Sequence, residues 1–124
     1  MVRLGLTFSR FVKILQRVDD TEVVARMHVI SEKKLREFWE NWPEAEEPLR
    51  AWHRVTEHAA WECFADVRRV YPHADQVGRC TVFNIGGNKF RLVVVIHFNR
   101  GKVFIRHVMT HKEYDRGAWK GDCC

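Results

Sequence analysis

Two arginines stand inside apolar runs of this 124-residue chain: Arg91 within 90–98 (FRLVVVIHF) and Arg106 within 103–109 (VFIRHVM). A guanidinium is a planar fork matched to phosphate oxygens, and a strand holds it more firmly than a loop tip does. The next residues, Thr110-His111-Lys112-Glu113-Tyr114-Asp115, add an imidazole, an ammonium and a phenol. Cleavage of RNA through its own 2′-hydroxyl needs a base for that hydroxyl, an acid for the leaving 5′-oxygen and cations for the phosphorane. Protein side chains can supply all three without metal. His111 is the expected proton carrier, since an ordinary imidazole pKa of about 6.5 suits either transfer. Tyr114, ordinarily near 10, suits an acid or a stacking surface. Arg91 and Arg106 are the expected phosphorane stabilisers; pairing of each with a carboxylate from elsewhere in the chain is the plainer alternative.

No metal or cofactor site is expected. His107 and His111 have HxxxH spacing, but four residues of extended strand span roughly 13 Å, too far to share one ion. His53 and His58, five apart on a helix, diverge by about 140°. The basic half lacks the carboxylate cluster of a two-metal nuclease, and GxxxxGK[ST], GxSxG and HExxH patterns are absent. The cysteines are Cys63, Cys80, Cys123 and Cys124. They form no CxxC pair, so neither a zinc site nor a disulfide framework is expected, and a reducing cytoplasm is the inferred compartment. No run approaches the roughly 18 apolar residues of a membrane span, so no membrane partner is expected.

Composition is globular, with 46% hydrophobic and 30% charged residues, and the length is that of one domain. Charge is divided unevenly. Residues 27–78 carry 7 Lys/Arg against 10 Asp/Glu, whereas residues 79–124 carry 9 against 3. A basic half beside an acidic one fits a surface that meets a polyanion, although solubility alone can produce such a split.

The elements that must position these groups follow from periodicity. Residues 1–26 read as an N-terminal extension, either a short basic amphipathic helix or sequence upstream of a start at Met27. His28-Val29-Ile30 reads as a strand, and Ser31 as the N-cap of a helix bearing Leu35, Phe38, Trp39 and Trp42 on one stripe. Pro43 ends it. A second helix from about Ala45 buries Leu49, Trp52, Val55 and Ala59, and a third over 61–70 buries Phe64, Val67, Val70 and Tyr71. The Trp stripe reads as core rather than as a stacking platform for bases. Extended runs at 80–85, 90–98 and 103–109 are joined by Gly86-Gly87-Asn88 and Asn99-Arg100-Gly101, which have hairpin-turn composition. Alternation places Arg91, Val93, Val95 and His97 on one face of the central strand, and Phe104, Arg106, Val108 and Thr110 together on the last. The expected class is α+β, with an N-terminal strand and two to three helices packed on an antiparallel sheet of three to four strands. Residues 117–124, with Cys123-Cys124, read as a flexible tail.

From Met27 to about Arg116 the chain resembles the HigB toxins, a branch of the RelE-like superfamily of bacterial toxin–antitoxin modules. The resemblance rests on Met27-His28-Val29-Ile30-Ser31, Phe64-Ala65-Asp66-Val67, Tyr71-Pro72, the stretch 82–88 (VFNIGGN) leading to Phe90-Arg91-Leu92, and the stretch 105–115 (IRHVMTHKEYD). It implies a toxin domain over 27–116 with the RelE-like fold, and a cytoplasmic mRNA interferase that enters the ribosomal A site. Such an enzyme cuts messenger RNA to leave a 2′,3′-cyclic phosphate (or 3′-phosphate) and a 5′-hydroxyl. The implied partner is a helix-turn-helix, HigA-like antitoxin, through which operator DNA is met only indirectly. By position, Arg91, Arg106, His111, Lys112 and Tyr114 match the basic site of the superfamily. Asn84, Asn88, Lys89 and Lys112 are the expected RNA contacts, with turn formation as the alternative for the asparagines. Rival readings are a translation inhibitor that grips RNA or ribosome without cutting, and an inactive homologue that only binds antitoxin.

Overall fold

The computed structural model describes residues 26–123, so the expected extension over 1–26 lies, save for Arg26, outside the described residues. Strand β1 (His28–Ile30) leads into α1 (Lys33–Asn41), a 3-10 turn (Pro43–Ala45), α2 (Glu46–Glu57) and α3 (Phe64–Val70). Ser31 is not the N-cap. It takes a left-handed φ of 73° and turns the chain out of β1, leaving Glu32 at the cap position without a side-chain cap. The buried line of α2 is Leu49, Trp52 and Thr56, while Val55 is exposed. Steps of three fall behind a 3.6-residue turn, so a stripe carried forward from Leu49 and Trp52 needs a step of four. The same drift leaves Val70 exposed on α3, where Val67 is the buried residue. Trp42 departs from the expected core as well: it lies just beyond the end of α1 and keeps 42% of its surface.

The sheet holds β1, β2 (Asp75–Val77), β3 (Cys80–Ile85), β4 (Phe90–His97) and β5 (Lys102–Thr110) in the order β1-β5-β4-β3-β2. It is mixed, since β1 runs parallel to β5 and the other neighbours are antiparallel. The three residues of β2, two of them polar and exposed, carry too short a pattern to be read as a strand. Pairing of β4 with β5 contains a bulge: Val93 lies opposite His107 and Val94 opposite Ile105, so Arg106 is the extra residue. The bulge reverses the alternation beyond it. Val108 packs with the main core and Met109 with a second cluster, so Phe104, Arg106, Val108 and Thr110 do not share one face. The turn before β5 needs Gly101, whose φ is 65°, whose carbonyl accepts from the His28 N–H at 2.7 Å, and where a Cβ would lie 3.0 Å from the Arg26 carbonyl.

Helices α1 to α3 cover one face of the sheet. Phe83 is the hub of that core, with the rings of Trp52, Trp61 and Tyr71 at 5.5, 6.4 and 5.2 Å from its own. Burying such side chains stabilises by roughly 1.5–3 kcal/mol each. The other face carries a smaller cluster of Cys80, Val82, Val93, Met109, Trp119 and Cys123. The C-terminal segment supplies two of these residues, which corrects the expectation of a flexible tail. After α4 (His111–Arg116) and Gly117, a 3-10 helix (Ala118–Asp122) folds back, Trp119 is buried, and Cys123 forms a disulfide with Cys80. The absence of a CxxC pattern did not exclude this bond, because its cysteines are 43 residues apart and are joined by tertiary folding. Cys63 is free and exposed. Among the described residues no helix is long and apolar enough to cross a membrane.

Candidate nucleic-acid interface

On the face opposite the helices, register sets the order of the polar groups. Asn84 pairs with Arg91, and Arg91 with Met109; two residues further along β4, Val93 pairs with His107. Arg91 and Arg106 therefore both belong to this face, which we call the open face. Arg91 keeps only 9% of its surface. Its Nη1 donates to the Asn88 and Phe90 carbonyls at 3.0 and 3.1 Å, and its Cζ lies 5.3 Å from the centre of the Tyr114 ring. Among the described residues none of its contacts is a carboxylate, so two carbonyls and a π face hold the guanidinium. The alternative in which a helix carboxylate neutralises it does not apply.

Tyr114 reaches this position from α4, which is fixed by a capping box. Thr110 Oγ1 accepts from the Glu113 N–H at 3.2 Å, and the Thr110 N–H donates to Glu113 Oε1 at 2.9 Å. Burial raises the Tyr114 pKa above its ordinary value, with the charges of Asp75 and Asp115 adding to the rise and that of Arg91 opposing it. The phenol therefore stays protonated at neutral pH. Its ring stacks on Trp119 at 4.8 Å.

His111 opens α4, where its backbone N–H meets the Lys89 carbonyl at 3.1 Å. Its half-exposed ring places Nδ1 3.0 Å from Asp115 Oδ2. A carboxylate on Nδ1 leaves Nε2 for proton exchange. His111 thus stands just beyond the Arg91–Met109 pair, whereas Arg106 is the bulged residue beside the Val93–His107 pair, further back along β5. Arg106 Nη2 lies 3.9 Å from Asp122 Oδ2, and His107 Nε2 lies 2.6 Å from the same oxygen. Asp115 and Asp122 were not singled out from sequence, and His107 was weighed only as a metal ligand with His111. Asp115 had a usable signal, since it stands one helical turn after His111; Asp122 had none, because its contacts cross from the tail to β5.

The four expected RNA contacts divide between two hollows. Asn84 and Asn88 line one of about 360 Å³ with Tyr71, Pro72, His73 and Gly87. Lys89 and Lys112 line a groove of about 560 Å³ with Trp42, Phe90, His111 and Arg116. Elsewhere, Glu32, His53 and Glu57 bring one ligand atom each within 4.8 Å of one another on the helical side. Those three could hold a cation, but Arg36 already engages Glu32 at 3.2 Å, and Arg50 and Arg54 line the same hollow with unfavourable charge.

Residues 45–117 match the model for the HigB toxins, described as RelE-like toxic components of a toxin–antitoxin system. An mRNA interferase toxin HigB of Escherichia coli K12 is 35% identical over 92 residues, which cover 72% of this chain and 88% of that protein. An mRNA interferase HigB of Shigella flexneri gives the same figures. One from Escherichia coli O6:H1 is 27% identical over 93 residues, covering 73% of this chain and 90% of the relative.

Proposed function

This chain belongs to the HigB family of RelE-like toxins, and we propose that it is an endoribonuclease, an mRNA interferase that cuts messenger RNA in the ribosomal A site. The observation that carries the reading is Arg91, a nearly buried guanidinium with no carboxylate among its contacts within the described residues, under a tyrosine that keeps its proton. A cation held in that way suits the charge that develops on a phosphorane, where a preorganised group gains most.

In the proposed mechanism, His111, oriented by Asp115, takes the proton of the 2′-hydroxyl through Nε2. The 2′-oxygen attacks phosphorus, the bond to the 5′-oxygen breaks as that oxygen takes a proton from Tyr114 or from water, and the products are a 2′,3′-cyclic phosphate and a 5′-hydroxyl. Arg91 stabilises the five-coordinate phosphorus, and Tyr114 stacks on or donates to the substrate. Lys89 and Lys112 neutralise backbone charge in the groove beside His111, and Asn84 and Asn88 contact the strand from the neighbouring hollow. Arg106, spaced well along β5, meets a different phosphate of the same strand rather than the scissile one. The functional partner is the antitoxin of the module, a HigA-like helix-turn-helix protein that carries the complex to operator DNA, and the site of action is the cytoplasm.

Mapping RNA ends after adding the protein to translating ribosomes tests this reading. New 5′-hydroxyl ends within coding frames, matched by cyclic phosphates and lost when the cut nucleotide carries a 2′-O-methyl group, are expected. Arrested translation with intact mRNA would identify a non-cleaving binder instead.

A further inference from the structure

The C-terminal segment makes four kinds of contact with the open face and the turn beside it. Trp119 stacks on Tyr114 at 4.8 Å and donates from Nε1 to the Tyr114 carbonyl at 2.9 Å, which holds the phenol ring over Arg91. Asp122 puts its carboxylate 2.6 Å from His107 and 3.9 Å from Arg106. Arg79 on the adjoining turn ties down the backbone, donating from Nε to the Asp122 carbonyl at 2.9 Å and from its N–H to the Cys123 carbonyl at 2.8 Å. Cys123 then closes the segment covalently onto β3 through Cys80. An anionic side chain between an arginine and a histidine occupies the place that those groups offer to a phosphate. The segment also lies past residue 117, where the match to the family ends.

We infer that residues 118–123 are an autoinhibitory strap, latched by the Cys80–Cys123 disulfide, in which Asp122 occupies a phosphate-binding subsite formed by Arg106 and His107. The inference rests on the mRNA-cleaving reading above and adds a second RNA-phosphate subsite to it, together with its regulation. A dithiol reductant opens the latch. One of its thiolates attacks a sulfur of the disulfide, its second thiol resolves the mixed disulfide, and two electrons and two protons pass to Cys80 and Cys123 as the reductant closes its own disulfide. In a reducing cytoplasm the strap is then held only by the non-covalent contacts of Trp119, Asp122 and Arg79, which a polyanionic strand can displace.

The test measures sedimentation of the full chain with bacterial ribosomes programmed with an mRNA whose A-site codon is 2′-O-methylated, so that binding is read without cleavage. Oxidised protein, protein treated with dithiothreitol, a Cys80→Ser/Cys123→Ser double variant and oxidised Asp122→Asn are compared. The reduced and double-variant forms are expected to bind about tenfold more tightly than the oxidised form. Asp122→Asn, whose disulfide is intact, is expected to recover much of that gain even if the double variant folds poorly. Equal binding by oxidised, reduced and Asp122→Asn proteins would overturn the strap while leaving the interferase reading in place. Binding by none of them would remove the ribosomal reading, and the strap with it.

Discussion

His107 Nε2 and Asp122 Oδ2 lie 2.6 Å apart, joining the bulged strand β5 to the C-terminal segment 15 residues further on. The Asp122 carboxyl is held below the ordinary carboxylate pKa, first by this hydrogen bond and then by the charges of His107, Arg106 and Arg79. A carboxyl with a lowered folded pKa contributes stability that is present above its unfolded value, about 3.9, and is lost as pH falls through the folded value. Hydrogen-exchange protection of residues 118–123 should therefore hold at pH 5 to 7 and fall below about pH 4. Asp122→Asn should show weaker protection at neutral pH and no corresponding loss on acidification. An unchanged wild-type profile down to pH 3 would contradict the assignment.

Thr110→Ala removes one half of the capping box, leaving the Glu113 N–H without its side-chain acceptor. A cost of about 1 kcal/mol is expected in urea denaturation. Because α4 carries His111, Lys112 and Tyr114 on only six residues, its fraying should lower activity more than global stability. Amide exchange confined to 111–116 checks this, and uniform loosening of the whole sheet would count against it.

Thr56 is fully buried in the helical core, and its Oγ1 has no hydrogen-bond partner among the described residues. Thr56→Val replaces the unpaired hydroxyl by a methyl of similar shape, so stability should rise by about 1 kcal/mol with no change in cleavage. A loss of stability would show that the hydroxyl is in fact satisfied.

These cases also mark what could be read from the sequence. The hairpin turns announced themselves through Gly86-Gly87-Asn88 and Asn99-Arg100-Gly101, and the faces of β4 through strict alternation, so Arg91 was located correctly. Its burial was not legible, because the carbonyls of Asn88 and Phe90 and the Tyr114 ring that hold it are set by the fold. The Arg106 bulge was missed since one extra residue leaves no compositional mark on VFIRHVM. Trp42 followed the helical stripe on paper, yet it lies past the end of α1, where the period no longer applies. The order of the tail is not legible in the sequence, because Cys123 is bonded to Cys80, 43 residues away, and Trp119 packs into a cluster drawn from β3, β4 and β5.

The most direct test of the central claim is the rate at which ribosome-bound mRNA acquires 5′-hydroxyl ends with wild-type protein, Arg91→Ala and Arg91→Lys, each shown to be folded by circular dichroism. Loss of a preorganised guanidinium at a developing negative charge predicts a fall of about 10²-fold or more for Arg91→Ala. Partial retention is expected for Arg91→Lys, which keeps the charge without the fork. Cleavage by folded Arg91→Ala at the wild-type rate would contradict the account.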